Sequence, residues 1–238
     1  RQFVLSSTFR QGAATHEHRL ILAPEYRFLP RGPRTRLAAE MVRDQALFLS
    51  GLMVEKHGGQ SMWVYQPAGL GREVVTRGTC KHEHGEKLYR RSLYSRIRRT
   101  VAHPSMLLFD APSREVCMVK RTHTNTPLQA LALMNEVTYV EASRKFAERM
   151  MENGTTPEER IAWAFRAATA RQPKRGELAL LTDGYERRLS RFRDQPKEAE
   201  QLLGQGESPL NESFGQAEVA ALTTVANVIL NLDELINK

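Results

Sequence analysis

Apolar residues along this chain recur at steps of three and four, and that spacing predicts helices. Leu37, Met41, Phe48, Leu49 and Leu52 define an amphipathic helix over Leu37 to Lys56, with Gly58-Gly59 as its stop. Tyr89, Leu93, Ile97 and Val101 fall four apart and predict a second helix. His103-Pro104 ends it, because the residue before a proline is pushed out of helical backbone space. Thr126, Pro127 and Gln129 combine a cap, a proline at the first helical position and a capping-box partner, so a third helix is expected to run to Asn153-Gly154. Thr156, Pro157 and Glu159 repeat the device, with Ile161, Ala164, Phe165 and Ala168 inward. Glu158 and Glu159 face the positive end of that helix dipole. Leu178, Leu181, Tyr185, Leu189 and Phe192 mark another helix, and Pro196 to Leu203 a short one. Gly204 to Pro209 reads as a linker, and from Phe214 a last helix carries Val225, Val228, Ile229, Leu232 and Leu235.

No segment shows a sustained alternation at period two, so the expected fold class is mainly α. The picture is a helical domain with a long irregular insertion from Gln60 to Lys87 and a bundle-like C-terminal part. A chain of 238 residues can bury one substantial core, and a single domain over 1–238 is expected. A subdivision into a basic, loop-rich 1–125 and a helical 126–238 is the alternative. Beginning at Arg1 without an apolar leader, the chain reads as a fragment of a longer protein. It contains no run of about 18 apolar residues of the kind that predicts a membrane span.

Charge changes this picture more than bulk composition does. Apolar residues at 41% and charged residues at 26% place the chain among globular proteins rather than disordered ones. The net charge of +8 is uneven: residues 1–125 hold 21 basic against 10 acidic groups, and residues 126–238 hold 14 against 17. The basic surface therefore belongs to the first half, where an anionic polysaccharide is a candidate partner. Cys80 and Cys117 are the only cysteines, which excludes a disulfide-dense scaffold and leaves one bridge between them open.

Candidate chemistry sits in three places. Arg43, Asp44, Asp110, Arg114, Glu115 and Arg121, with Arg36 and Glu40, form either a buried polar network lining a cleft or ordinary surface pairs. Arg90, Arg91 and Tyr94 interleave guanidinium and aromatic groups and are candidates for binding an anionic ligand. Nucleic acid is the less favoured occupant, since Tyr89 and Leu93 belong to the predicted core stripe and are lost to base stacking. His16-Glu17-His18 and His82-Glu83-His84, the latter preceded by Cys80, have spacing at which two imidazoles can face one metal from extended backbone. The sequence places no further ligand beside them, and no metal is the favoured reading. Nucleophile-elbow, phosphate-loop, zinc-protease and dinucleotide signatures are absent, as is the Cys-x-x-Cys-His attachment for haem c. Paired carboxylates for a hydrolytic or carbohydrate-active site remain as an alternative.

Several phrases, in order, resemble one family: SSTFRQ from Ser6, RGPRTRLAAEMVRDQAL from Arg31, SGLMVEKHGG from Ser50, YQPAGL from Tyr65, LYRRSLY from Leu88, the stretch Phe109 to Asn135, and ANVILNLDEL from Ala226. The chain is similar to Planctomycete Surface Domain One, also known as domain of unknown function 1553. The resemblance implies an extracytoplasmic domain of a large exported planctomycete protein, with its N-terminal part missing here. It implies other domains of the same polypeptide as partners, often a cytochrome c-like domain that would carry haem c, and no cofactor in this chain. It implies no established reaction and nominates no catalytic residue. The chain departs from the family pattern after Tyr94, where Ser95-Arg96-Ile97-Arg98-Arg99 stands in place of a Tyr-Trp-Lys-Arg-like run. The expectation is a scaffold or interaction domain; a carbohydrate-active site comes second and nucleic-acid binding third.

Overall fold

A computed structural model describes residues 2–7, 9–10, 21, 35–66, 82–99 and 102–237. Among these residues the fold is mainly helical, with ten α-helices and no sheet. In chain order they are α1 (Gln2–Leu5), α2 (Ala39–Ser50), α3 (Pro104–Leu108), α4 (Pro127–Asn135), α5 (Val137–Glu152), α6 (Pro157–Thr169), α7 (Arg175–Asp194), α8 (Pro196–Leu203), α9 (Gln216–Leu230) and α10 (Asp233–Ile236). Two 3₁₀ turns, Gly85–Tyr89 and Ser92–Tyr94, lie before α3. Isolated bridges tie Arg36 to Asn237, Val54 to Arg90 and Met62 to Ser95.

The centre of the molecule is α5, which packs against α2, α4, α6 and α9. Its Ala142, Phe146, Ala147 and Met150 are fully buried, and they meet Ala220, Ala221, Leu222, Ala226 and Ile229 of α9. Alanines at the crossing let the two backbones approach closely, and the longer side chains fill the space beside them. One core cluster joins α2 to α10 through α5, α6, α7 and α9. Glu141, Arg144 and Glu148 are buried on α5 beside this core, so a helix with charged residues on one face is enclosed on that face too.

The helix starts differ in chemistry. At α6 the Thr156 hydroxyl accepts from the Glu159 N–H, and the Glu159 carboxylate accepts from Thr156 N–H, the expected capping box. At α4 the Thr126 side chain makes no cap bond, and Gln129 is instead buried, donating from Nε2 to Leu108 O at 2.7 Å and Thr124 O at 3.1 Å. A residue expected to cap its own helix thus pins the preceding loop.

Three other expectations are corrected. The helix predicted from Leu37 to Lys56 ends at Ser50, where Gly51 adopts φ 76° and closes the last turn. Its buried face is Ala39, Val42, Arg43, Ala46, Leu47, Leu49 and Ser50, while Met41 and Phe48 are 55% and 62% exposed. The helix predicted through Tyr89, Leu93 and Ile97 is absent from the described residues: the chain makes two 3₁₀ turns there, and Leu93 and Ile97 are exposed. Carbonyls of Leu88 and Arg90 and the N–H of Ser92 bond side chains of α2, which competes with helical pairing. The helix predicted from Thr126 to Asn153 breaks at Glu136, whose backbone is extended at φ −74° and ψ 136°, giving α4 and α5.

Candidate functional site

On α2 the two neighbours Arg43 and Asp44 do different work. Arg43 is buried and points into the molecule, donating from Nη2 to Leu88 O at 2.7 Å and from Nη1 to Arg90 O at 3.0 Å and Ser92 Oγ at 3.1 Å. Burial pushes its guanidinium below its ordinary pKa, against the field of Tyr139, Glu136 and Asp44. Asp44, nearer the surface, accepts from Ser92 N–H at 2.6 Å and pairs with Arg91 Nε at 3.4 Å. Between them they fix the 88–92 segment along α2, so the direction of Arg91 is set by α2.

Arg90 leaves the other side of that segment. It is buried over the Tyr94 ring, 4.0 Å from its centroid, and donates to the carbonyls of Lys56, Gly58 and Gln60. The Tyr94 hydroxyl accepts from Gly58 N–H at 2.7 Å. Arg90 and Tyr94 therefore hold the 56–60 loop, whereas Arg91 faces solvent.

Glu40, one turn before Asp44, is clamped by both Nη atoms of Arg121 at 2.8 and 3.0 Å. Burial alone would raise the Glu40 pKa, but the hydrogen bonds and charge of Arg121, with the further charge of Arg114, hold it below the ordinary value. Asp110 lies apart: it pairs with Arg36 and accepts from Thr124 N–H at 2.8 Å, which stabilises its positive φ of 58°. Arg114, also at positive φ, 59°, hydrogen-bonds nothing among the described residues. Glu115 and Cys117 are exposed, and the Cys117 thiol is free. Cys80, the other cysteine of the bridge left open by the sequence, lies outside the described residues, as do His16 and His18.

Of the predicted polar cluster, then, Asp44, Arg114 and Arg121 converge with Glu40, and with Arg91 of the predicted ligand-binding group, on one cleft of about 240 Å³ between α2, the 91–97 segment and the α3–α4 loop. Arg43, Arg90 and Asp110 are absorbed into structure. Arg96, which stands where the family pattern differs, joins the cleft wall. Met41, Val64, Leu93, Ile97, Met106 and Leu107 supply its apolar surface. His103 also lines it; burial lowers its pKa against the opposing pull of the hydrogen bond between Nε2 and Tyr65 O, and its Nδ1 lies 2.9 Å from Ser105 Oγ. On the far side of the Asp44–Arg91 pair the surface continues into a wider hollow of about 390 Å³ lined by Phe48, Met53, Lys56 and His57. The two hollows share Asp44 and Arg91 in their walls.

His82 and His84 are placed elsewhere, both against Glu207 in the loop after α8. Sequence reading missed Glu207, since a carboxylate 123 residues beyond His84 has no local signal, and Gly204 to Pro209 reads only as a linker.

The cleft thus lies on a mainly helical fold, with Arg91, Arg96, Arg114 and Arg121 in its wall. The family model PSD1, Protein of unknown function (DUF1553), matches residues 1–185, and the chain belongs to that family. No curated protein and no solved structure matches the chain. Among the described residues no helix is long and apolar enough to cross a membrane.

Proposed function

We propose that the chain is an interaction domain of an exported multidomain protein, and that its groove binds an extended anionic chain, a sulfated or uronic-acid polysaccharide. The observation that carries this reading is the convergence of Arg91, Arg96, Arg114 and Arg121 on one cleft with only two carboxylates, Glu40 and Asp44, to oppose them. The surplus of guanidinium is set beside apolar surface, where charge-assisted hydrogen bonds to sulfate or carboxylate are strongest. A sugar ring offers both an anionic group and an apolar face. The two hollows on either side of Asp44–Arg91 suit a polymer rather than a single small acid.

A hydrolytic reading fits less well. Glu40 is engaged at both oxygens by Arg121, which holds its pKa below the ordinary value, and Asp44 is tied to Ser92 N–H and Arg91, so neither carboxylate is free to turn to a leaving group. Nucleic acid is disfavoured because Tyr89 is buried and Tyr94 lies under Arg90. The extracytoplasmic location and a cytochrome c-like neighbour that would bear any haem belong to this proposal and rest on family membership.

Calorimetric titration with heparin-type and polyuronate oligosaccharides at low and physiological salt tests it. Binding that weakens at least tenfold in Arg91→Glu plus Arg114→Glu supports the reading. Flat titrations with both glycan classes, or affinity unchanged in the double variant, overturn it.

A further inference from the structure

We propose that His82, His84 and Glu207 bind one first-row divalent transition-metal ion of the zinc class, with a coordination position open to solvent. The three side chains already converge on a point. His82 Nε2 and His84 Nδ1 lie 2.8 and 2.7 Å from the same oxygen, Oε1 of Glu207, and all three ligand atoms fall within 4.8 Å of one another. Two imidazoles and a carboxylate are a donor set that zinc and related ions accept, with water completing the shell.

The backbone explains the pairing of the histidines. His84 is extended at φ −117° and ψ 156°, and the two imidazoles, two residues apart, both reach the Glu207 carboxylate. Glu83 N–H donates to Trp63 O at 2.9 Å, which fastens the segment at its midpoint, and the His82 ring packs against Tyr65 with centroids 5.1 Å apart.

Glu207 is held with equal care from the other side. Its N–H donates to the Tyr65 hydroxyl at 2.9 Å and to Glu141 Oε1 at 2.8 Å, and Ser208 N–H reaches the same Glu141 oxygen at 2.6 Å. Arg144 donates to Ser208 O and Oγ, both at 2.6 Å. Glu141 and Arg144 are each 1% exposed and anchored in α5. A carboxylate whose loop is fixed by buried charge is a pre-positioned ligand rather than a mobile surface group.

The geometry needs little change to admit an ion. Metal–ligand bonds of about 2.0–2.1 Å in tetrahedral arrangement separate neighbouring ligand atoms by about 3.3 Å. The present 2.7 and 2.8 Å contacts would open by roughly 0.5 Å, within side-chain rotation, as the ion replaces the protons now shared with Oε1. The His84 side chain is 74% exposed, so the face of the site beyond it is wet, and a water or an anion can take the remaining position.

The test is titration of the metal-stripped, untagged chain with zinc by calorimetry and with cobalt(II) by visible absorption. One equivalent per chain is expected, with affinity reduced at least tenfold in His82→Ala, His84→Ala and Glu207→Gln, and a cobalt spectrum that shifts on adding azide. His84 is exposed, so its variant keeps the fold and remains informative. Substoichiometric binding, affinity unchanged in His84→Ala, or loss in Cys80→Ser with retention in Glu207→Gln would each overturn the assignment. A cobalt spectrum indifferent to azide removes the open position.

Discussion

Single residues decide how the two halves of this chain meet. Glu141 receives the Tyr89 hydroxyl at 2.8 Å as well as the two N–H groups of the 207–208 loop, and burial of Tyr89, then the hydrogen bond and charge of Glu141, push that hydroxyl above its ordinary pKa. Beside it, Gly206 sits at φ 86°, and a Cβ there would fall 2.2 Å from Glu141 Cδ. Gly206→Ala therefore meets both backbone strain and a clash, and should lower the unfolding free energy by about 2–4 kcal/mol in urea titration. Arg43→Met keeps most of the apolar stem but leaves Leu88 O, Arg90 O and Ser92 Oγ without their buried donor. A loss of about 2–4 kcal/mol is expected, with faster amide exchange confined to residues 88–92. Glu115→Ala, at an exposed position with no side-chain partner among the described residues, should stay within about 0.5 kcal/mol of wild type.

At the scale of elements, the helices that were legible from sequence are those whose packing follows their own period. In α6 and α7 the inward residues Ile161, Ala164, Phe165, Ala168, Leu181, Tyr185, Leu189 and Phe192 are buried as the spacing requires. Thr156→Ala should cost about 1 kcal/mol in thermal or chemical unfolding, because it removes one side of the capping box of α6. The segments that misled are those where a distant group claims the backbone. Residues 88–97 carry a helical spacing of apolar residues, yet Arg43 and Asp44 hold their polar groups and turn Leu93 and Ile97 outward. In α2 the large apolar Met41 and Phe48 are not in the core, while Ala39 and Ala46 are, beside Val42, Leu47 and Leu49, since close packing on α5 rewards small residues that a hydrophobicity pattern underweights.

For the molecule as a whole, the basic first half was legible from charge counts, and three of the six residues singled out from sequence as a polar cluster, Asp44, Arg114 and Arg121, line the groove only because α2 and the α3–α4 loop converge. Which of them face the groove was not legible, because Arg43 and Asp44 are adjacent in sequence and grip the same segment, yet Arg43 is buried beneath it and Asp44 lines the cleft. Electrostatics also tie the ends of the helical half together. Arg171 bridges Glu177 at the start of α7 and Glu234 on α10, at 2.7 Å each. Hydrogen bonds from Arg171, then from Lys174 N–H, hold Glu177 at about 2, against an ordinary 4.5. A depressed folded-state pKa means the clamp stabilises above pH 4.5 and is lost as the pH falls from there towards 2. Comparison of wild type with Arg171→Ala should show a gap at pH 7 that closes across that window; partial exposure of the pair limits it to about 1 kcal/mol.

The placement of α9 against α5 has a consequence for how the chain can be cut. The family match stops at residue 185, midway along α7, but the alanine-lined face of α5 is covered by residues 219–229. A fragment ending at residue 185 would leave that face bare to water, and should be recovered in the pellet or bind a fluorescent apolar dye, whereas a fragment ending at residue 237 stays soluble. Similarity between relatives therefore marks out a shorter stretch than the one that must be made together. Residues 219–229, which lie beyond it, are what cover the core that α5 builds.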